Sequence, residues 1–123
     1  MKIYRCPVCG NITVKLSDGK VPLFCCGSQM ELLKANTSDG ALEKHVPHVI
    51  VENDRVEVVV GEVAHPMIEQ HYIEWILLET EKGFQIKYLQ PQQEPKHSFS
   101  LIDDKLVAVY EYCNLHGLWK KEM

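Results

Sequence analysis

The stretch YIEWILLETEKGFQIKYLQ, residues 72–90, decides the fold of this chain. Two runs rich in isoleucine, leucine and aromatic residues, YIEWILLE (72–79) and FQIKYLQ (84–90), flank the polar turn TEKG (80–83). Such side chains favour strands, and a short polar segment that contains glycine is typical of a tight turn. We therefore predict two β-strands joined by a turn.

The same strand–turn–strand pattern continues through the rest of the chain from residue 41 onward. The further runs are HVIV (48–51), VEVVV (56–60), HSFSL (97–101), LVAVYEYC (106–113) and, as a candidate closing strand, GLWKK (117–121). Turn residues separate these runs, and no apolar period of 3.6 residues extends over a helix-length window. About seven short strands in roughly 85 residues predict an all-β, antiparallel sandwich.

The N-terminal part of the chain differs from this pattern. It holds CPVCGN (6–11) and VPLFCCG (21–27), with few apolar residues between them. A unit of fewer than ~40 residues seldom supports a core without a metal, disulfides or a partner. The small, polar segment ANTSDG (35–40) is typical of a linker. We predict a metal-binding lobe over residues 1–36 and a sandwich domain over residues 37–123.

Composition and charge narrow the class of protein. With 123 residues, 46% of them hydrophobic and 24% charged, the chain is typical of a soluble globular protein. A net charge of −4 argues against a nucleic-acid binder. No apolar run approaches the ~20 residues that span a membrane, and the start MKIYRCPVCG lacks the apolar region of a secretory signal. We therefore expect a cytoplasmic protein with no membrane or nucleic-acid partner.

Four of the five cysteines form a CxxC motif and a CC pair in the N-terminal lobe: Cys6, Cys9, Cys25 and Cys26. In the cytoplasm, such cysteines are more often metal ligands than disulfides. Four thiolates suit a tetrahedral zinc or iron site. The spacing alone favours zinc in a structural ribbon, although adjacent cysteines depart from the usual paired CxxC motifs and predict a distorted tetrahedron.

The fifth cysteine lies far from the others, in YCNLHG (112–117), three positions before a histidine. Five candidate ligands in the sandwich domain precede strands, follow them or connect them: His45, His65, His71, Cys113 and His116. A rigid β scaffold commonly presents functional side chains at such places. Each histidine alone could be an ordinary half-buried residue, and the thiol alone a small buried hydrophobe. Together they predict a second metal site.

A site of several imidazoles and one thiolate has a distinct chemical character. Imidazole suits zinc, copper, iron or nickel, and a thiolate is a soft, electron-donating ligand. In haem enzymes such a thiolate promotes O–O cleavage. Opposite an open position on non-haem iron, we hypothesise that it promotes release of bound peroxide instead. This would explain why Cys113 stands apart from the other four cysteines.

Taken in order, CPVCGN…CCG, EKHVP, HPM…HYIEWI and EYCNLHGLW closely resemble desulfoferrodoxin, the two-iron class of superoxide reductases. The resemblance covers essentially the whole chain. It implies a desulforedoxin/rubredoxin-like lobe and an immunoglobulin-like β-sandwich. It also implies two irons, one on Cys6, Cys9, Cys25 and Cys26, and one on equatorial His45, His65, His71 and His116 with axial Cys113. His48 and His97 match no ligand position, and zinc also fits the four-cysteine site.

The resemblance further implies one-electron reduction of superoxide to hydrogen peroxide, with rubredoxin or a similar small protein as electron donor. It gives Glu43 the role of a ligand to the oxidised iron and Lys44 the role of attracting superoxide. The family forms homodimers, so we expect one here. Three alternatives stay open from the sequence: a pure electron carrier, a redox-silent zinc module, and a dismutase that also oxidises superoxide.

Overall fold

The computed structural model of the chain describes residues 1–38, 40 and 42–123. The chain divides into two compact units, Met1–Lys34 and Ala35–Met123, and each is described here by itself. Within the described residues, no helix is long and apolar enough to cross a membrane.

The first unit is built from very short strands. These are β1 (Ile3–Arg5), β2 (Ile12–Val14), β3 (Phe24–Cys25), β4 (Ser28–Gln29) and β5 (Glu31–Leu32). Strand β1 pairs antiparallel with β2 and β5, and β3 pairs with β4 in a separate hairpin. In this fully described unit, the buried hydrophobic side chains are Ile3, Cys6 and Met30. Three side chains are too few for a self-supporting core.

The second unit is an antiparallel sandwich of a three-stranded and a four-stranded sheet. Its strands are β6 (Pro47–Glu52), β7 (Arg55–Val60), β8 (Ile73–Thr80), β9 (Gly83–Tyr88), β10 (Lys96–Ser100), β11 (Leu106–Cys113) and β12 (Gly117–Glu122). The sheets have the strand orders β10-β7-β6 and β12-β11-β8-β9. A three-plus-four arrangement is that of a constant-type immunoglobulin sandwich. The predicted all-β fold is confirmed, including both strands of the stretch 72–90 and their turn.

The core of the sandwich forms from alternate residues of the strands that face each other. Val56, Val58 and Val60 of β7 are wholly buried, as are Ile76 of β8 and Val109 of β11. Burying a side chain of this size contributes about 1.5–3 kcal/mol. This core includes the last residue of β11, a cysteine, so one proposed metal ligand is part of the packed interior.

One short helix precedes the sandwich strands. Helix α1 (Leu42–His45) is a single turn, too short for a helical period to show in the sequence. Gly61, after β7, has a φ of 81°, and a Cβ there would lie 2.6 Å from the carbonyl oxygen of Lys44 and 2.7 Å from that of Glu43. Only glycine combines this dihedral with so close an approach. Gly61 therefore lets α1 lie against the end of β7.

Candidate metal centres

The four cysteines of the first unit converge as the sequence predicts. The Sγ atoms of Cys6, Cys9, Cys25 and Cys26 lie within 4.8 Å of one another, and all are free thiols. The Sγ of Cys25 is 3.6 Å from that of Cys9 and 3.9 Å from that of Cys26. Metal–sulfur bonds of about 2.3 Å in a tetrahedron place sulfurs about 3.8 Å apart. The cluster therefore fits one tetrahedral ion.

Backbone groups of the first unit donate hydrogen bonds to this cluster and set the conformation of its residues. Backbone N–H groups of Val8 and Cys9 each donate to Cys6 Sγ at 3.4 Å. The N–H of Cys9 contributes most to lowering the pKa of Cys6 to about 6, against the opposing effect of burial. Cys26 adopts a φ of 54°, a left-handed conformation that is uncommon for residues other than glycine. The distortion expected from adjacent cysteines thus lies in the backbone, while the measured sulfur spacings remain close to tetrahedral values.

The ligands of the second site come from separate parts of the sandwich. His45 ends α1, and His65 and His71 lie in the connection between β7 and β8. Cys113 ends β11, and His116 lies in the turn before β12. The ligand atoms of His45, His65, His71 and Cys113 lie within 4.8 Å of one another.

Distances between the ring nitrogens indicate a shared ion. His45 Nε2 lies 3.1 Å from both His65 Nε2 and His116 Nδ1. One imidazole nitrogen offers either a hydrogen or a lone pair, so it cannot make two ordinary hydrogen bonds at once. Metal–nitrogen bonds of about 2.1 Å at right angles place neighbouring nitrogens about 3.0 Å apart. His116 Nδ1 is also 3.9 Å from Cys113 Sγ, so this nitrogen lies beside the same cluster.

His71 supplies an independent sign that a group belongs here. Its Nε2 is buried and has no hydrogen-bond partner among the described residues. An unpaired buried polar atom costs free energy, whereas coordination of an ion would satisfy it. The donor set of imidazoles and one thiolate suits a transition metal such as iron. The residues therefore fit a mononuclear metal.

Neighbouring groups orient the imidazoles and keep them neutral. His65 Nδ1 is 2.6 Å from the carbonyl oxygen of Pro66, to which it donates when Nε2 carries the lone pair. The indole of Trp119 donates to the carbonyl oxygen of His116 at 3.1 Å and stacks on His45 at 4.7 Å between ring centroids. Burial lowers the pKa of His65 to about 4 and also lowers the pKa of His71. Both rings are therefore unprotonated at neutral pH, as metal ligation requires.

The thiol of Cys113 is wholly buried, and burial raises its pKa. The backbone N–H groups of His116 and Leu115 oppose this effect because they donate to the sulfur. A thiol in such a place is a poor free nucleophile. A metal cation would supply the charge that holds it as thiolate.

Other residues singled out in the sequence lie outside the ligand cluster. Glu43 and Lys44 are exposed on α1, and within the described residues the cluster contains no carboxylate. The charge of Lys44 nevertheless contributes to lowering the pKa of His71, after burial and the neighbouring histidines. His48 is exposed and His97 is half-buried, with its Nδ1 accepting from the N–H of Ser98.

Sequence reasoning missed a buried acid close to the site. Glu111, two residues before Cys113, is wholly buried, and neither of its carboxyl oxygens has a hydrogen-bond partner among the described residues. Burial raises its pKa well above the usual value and so favours the neutral form of the carboxyl group. The signal was present, because a glutamate interrupts the otherwise apolar run LVAVYEYC (106–113).

Comparisons with known proteins agree with this description. The family model described as desulfoferrodoxin matches residues 37–122, and that described as desulfoferrodoxin, N-terminal domain, matches residues 1–33. The chain is 50% identical to the desulfoferrodoxin of Nitratidesulfovibrio vulgaris over 121 residues, 98% of this chain and 95% of that protein. It is 47% identical to a desulfoferrodoxin homolog of Archaeoglobus fulgidus over 120 residues, 98% of this chain and 95% of the relative.

A solved structure gives the same result for the fold. The crystal structure of the superoxide reductase from Treponema pallidum matches with a TM-score of 0.81 and 36% identity, covering 99% of this chain and all of that one. A four-cysteine lobe and an immunoglobulin-like sandwich with a histidine–cysteine centre define a class of two-iron proteins. This chain belongs to the desulfoferrodoxin family.

Proposed function

We propose that this protein is a superoxide reductase. One electron and two protons convert each superoxide anion into one hydrogen peroxide, and no dioxygen forms. The observation that carries the proposal is the close approach of four imidazoles and one buried cysteine sulfur in the sandwich. Family membership and the likeness to the Treponema pallidum enzyme support it.

Iron bound at this centre would supply the reducing electron and an open coordination position for the substrate. We assign its ligands as His45, His65, His71, His116 and Cys113. Because burial lowers the pKa of His65 and of His71, these two imidazoles would add no charge to the centre. The sulfur of Cys113, buried in the core, would donate electron density to such a metal and so favour departure of the product.

Lys44 draws the anionic substrate to the site. The sandwich domain is acidic, with eight basic against fifteen acidic side chains in residues 37–123, and on average repels superoxide. A local positive charge can focus the field at a site even on an acidic protein. Lys44 is exposed and directly precedes His45 in the sequence, and its positive charge helps to lower the pKa of His71. From this place its ammonium group can also organise the water that delivers protons.

Glu43 has a complementary role in the proposal. Its carboxylate is exposed on the same single turn of helix as Lys44 and is separate from the ligand cluster described above. An oxygen ligand on a one-turn helix can move without disturbing the sheet. We therefore assign Glu43 as an oxygen ligand that would bind the oxidised metal and would withdraw when the metal is reduced again.

The four-cysteine lobe would hold the second iron, although zinc fits the same thiolates. Cys9 and Cys26 are exposed, so a metal there is accessible to an electron carrier in solution. We assign rubredoxin or a similar small protein as the donor, acting on a homodimer in the cytoplasm. The free state of all five cysteines supports a reducing compartment. The division into domains 1–36 and 37–123 is part of the same proposal.

The decisive experiment measures products. The fully reduced protein, with no dioxygen present, receives a limiting pulse of superoxide, and peroxide and dioxygen are quantified. One peroxide per superoxide without dioxygen is expected. Half a peroxide with evolved dioxygen would identify a dismutase, and consumption no faster than the spontaneous background would leave an electron carrier or a zinc module.

The role of Lys44 is tested by its salt dependence. We expect Lys44→Ala to slow the bimolecular reaction with superoxide by about tenfold at low ionic strength and to flatten its salt dependence. Lys105→Ala is the matched control, because it removes the same charge from an exposed position just before β11, at the end opposite Cys113. Equal losses in both variants would contradict a local role for Lys44.

A further inference from the structure

Asn114 lies in the tight turn after Cys113, and its side chain reaches the loop that carries His71. Its Oδ1 accepts from the backbone N–H of Tyr72 at 2.9 Å, and its Nδ2 donates to the carbonyl oxygen of Gln70 at 3.0 Å. The backbone N–H of Asn114 donates to the carbonyl oxygen of Tyr72 at 3.2 Å. Three hydrogen bonds therefore tie the turn to both chain neighbours of His71.

The backbone of His71 is fixed in turn by its own loop. Its N–H donates to the carbonyl oxygen of Ile68 at 3.0 Å, and its carbonyl oxygen accepts from the N–H of Ile68 at 3.1 Å. The ring is held differently, because it meets the rings of His65 and His116 edge-on and its Nε2 has no hydrogen-bond partner among the described residues. The place of this imidazole therefore depends on where its loop is held.

We propose that Asn114 is a positioning residue for the histidine–cysteine centre. It fixes the loop of His71 to the turn that begins at Cys113, so that the imidazole of His71 and the sulfur of Cys113 lie close enough to bind one ion. The inference rests on the metal centre of the proposed function and adds a residue to which neither the sequence pattern nor the ligand geometry assigns a role.

Removing the amide has a defined physical consequence. The N–H of Tyr72 and the carbonyl oxygen of Gln70 lose their partners, and only the bond from the backbone N–H of Asn114 to the carbonyl oxygen of Tyr72 still ties the turn to the loop. Residues that orient metal ligands from outside the coordination sphere typically contribute 10–100-fold in metal affinity. We therefore expect a loss of about this size at the histidine–cysteine centre, with the four-cysteine centre unchanged.

The chain offers a matched control in Asn36. Its Oδ1 accepts from the N–H of Lys120 at 2.8 Å, its Nδ2 donates to the carbonyl oxygen of Lys120 at 3.1 Å, and its N–H donates to that of Leu118 at 3.0 Å. Asn114 is half-buried and Asn36 is exposed, but the two asparagines make the same three kinds of bond. Asn36, however, is tied to β12 and not to a loop that carries a ligand.

The experiment compares Asn114→Ala, Asn36→Ala and Asn114→Asp in the full-length protein with both irons. The readouts are the rate at which a chelator removes each iron and the visible absorption of the thiolate-bound iron. Asn114→Ala should raise the rate of loss from the histidine–cysteine centre about 10- to 100-fold and shift its absorption. Asn36→Ala should change the rate of iron loss by no more than about twofold and should leave the visible absorption as in the wild type. Asn114→Asp, which keeps the acceptor for Tyr72 and loses the donor to Gln70, should lie between them.

Two results would overturn the inference alone: no change in Asn114→Ala, or equal loss in Asn114→Ala and Asn36→Ala, which would be a general effect on stability. If Asn114→Ala does not fold, the comparison of Asn114→Asp with Asn36→Ala decides in the same way. A wild-type protein that holds no metal at this centre would overturn the proposed function and the inference with it.

Discussion

The two candidate metal centres of this chain lie in opposite kinds of protein environment. In the first unit, Cys9 and Cys26 are exposed, and three buried hydrophobic side chains make up what core there is. In the sandwich, His45 is 2% exposed and Cys113 not at all, and the cysteine is part of the main hydrophobic cluster. The first unit therefore depends on its metal in place of a hydrophobic core, whereas in the sandwich the hydrophobic core holds the metal ligands in position.

The two regions also differ in which residue adopts an unusual backbone conformation. In the first unit a ligand itself, Cys26, has a left-handed φ of 54°. In the sandwich the left-handed residues beside the site are glycines, with φ of 81° at Gly61 and 77° at Gly117. Glycine adopts this region without steric cost. The sandwich can therefore hold its ligands in place before a metal arrives, and the first unit needs the metal to hold the ligand pair.

Removing both metals should produce the largest difference between the two units. A structural metal contributes about 10–16 kcal/mol to small domains of this kind, so we expect residues 1–34 to unfold completely without it. The sandwich should stay folded on its own core. Amide hydrogen exchange, read separately for β1 and β8, measures this difference.

Cys26→Ser provides the control for metal removal, because it disables only the first site. We expect it to abolish protection in β1 and to leave β8 as in the wild type. Persistent protection of β1 in the metal-free protein would show that the first unit has a sufficient core of its own.

Gly61→Ala tests how closely α1 packs against the end of β7, because it adds a single carbon atom between them. Its Cβ would overlap the backbone carbonyl oxygens of Lys44 and Glu43 and displace α1. Gly83→Ala is the control, since it also has a positive φ but its Cβ would meet nothing within 4 Å. We expect Gly61→Ala to lower the free energy of unfolding of the sandwich by about 1–3 kcal/mol more than Gly83→Ala. Equal midpoints in urea would mean that α1 adjusts at no cost.

A smaller difference between the two units is expected in the way that their stability depends on pH. All six histidines lie in residues 45–116, outside the first unit. The pKa of His65 is lowered to about 4, so between pH ~6.5 and ~4 the unfolded chain binds more protons than the folded one. The contribution of His65 to the stability of the metal-free sandwich should therefore be complete above pH ~6.5 and fall progressively toward pH ~4.

The urea midpoint of the metal-free protein at pH 7.5 and pH 5 measures this acid effect. His65→Gln should reduce the difference between the two midpoints, and His48→Gln, at an exposed position, should leave it unchanged. A difference that survives in His65→Gln would assign the acid sensitivity to other groups.

The strands could be predicted because their signal is local. The turn TEKG (80–83) predicts the hairpin, and Thr80 pairs with Gly83 as the last pair of β8 and β9. The four-cysteine cluster is local in the same sense, with all its ligands inside 21 residues of sequence. Spacing therefore carried enough information for this site without knowledge of the fold.

The second site could be predicted in its residue types but not in its construction. The loop that carries His65 and His71 folds back on itself through the bridge between Ile68 and His71, which the sequence pattern does not indicate. The bonds of Asn114 join residues 42 to 44 positions apart and leave no mark on the sequence. Contacts of this range depend on the pairing of β8 with β11, which sets Ile73 opposite Cys113 and brings the segments beyond them together.

The stacking of Trp119 on His45 has a practical consequence. An indole whose centroid lies 4.7 Å from that of a metal-bound imidazole is close enough for the metal to quench its fluorescence. The other tryptophan, Trp75, stacks instead on Tyr112 at 5.6 Å. Binding of iron at the sandwich centre should thus quench the fluorescence of Trp119, one of the two tryptophans. The intrinsic fluorescence of the protein would then report how much iron is bound.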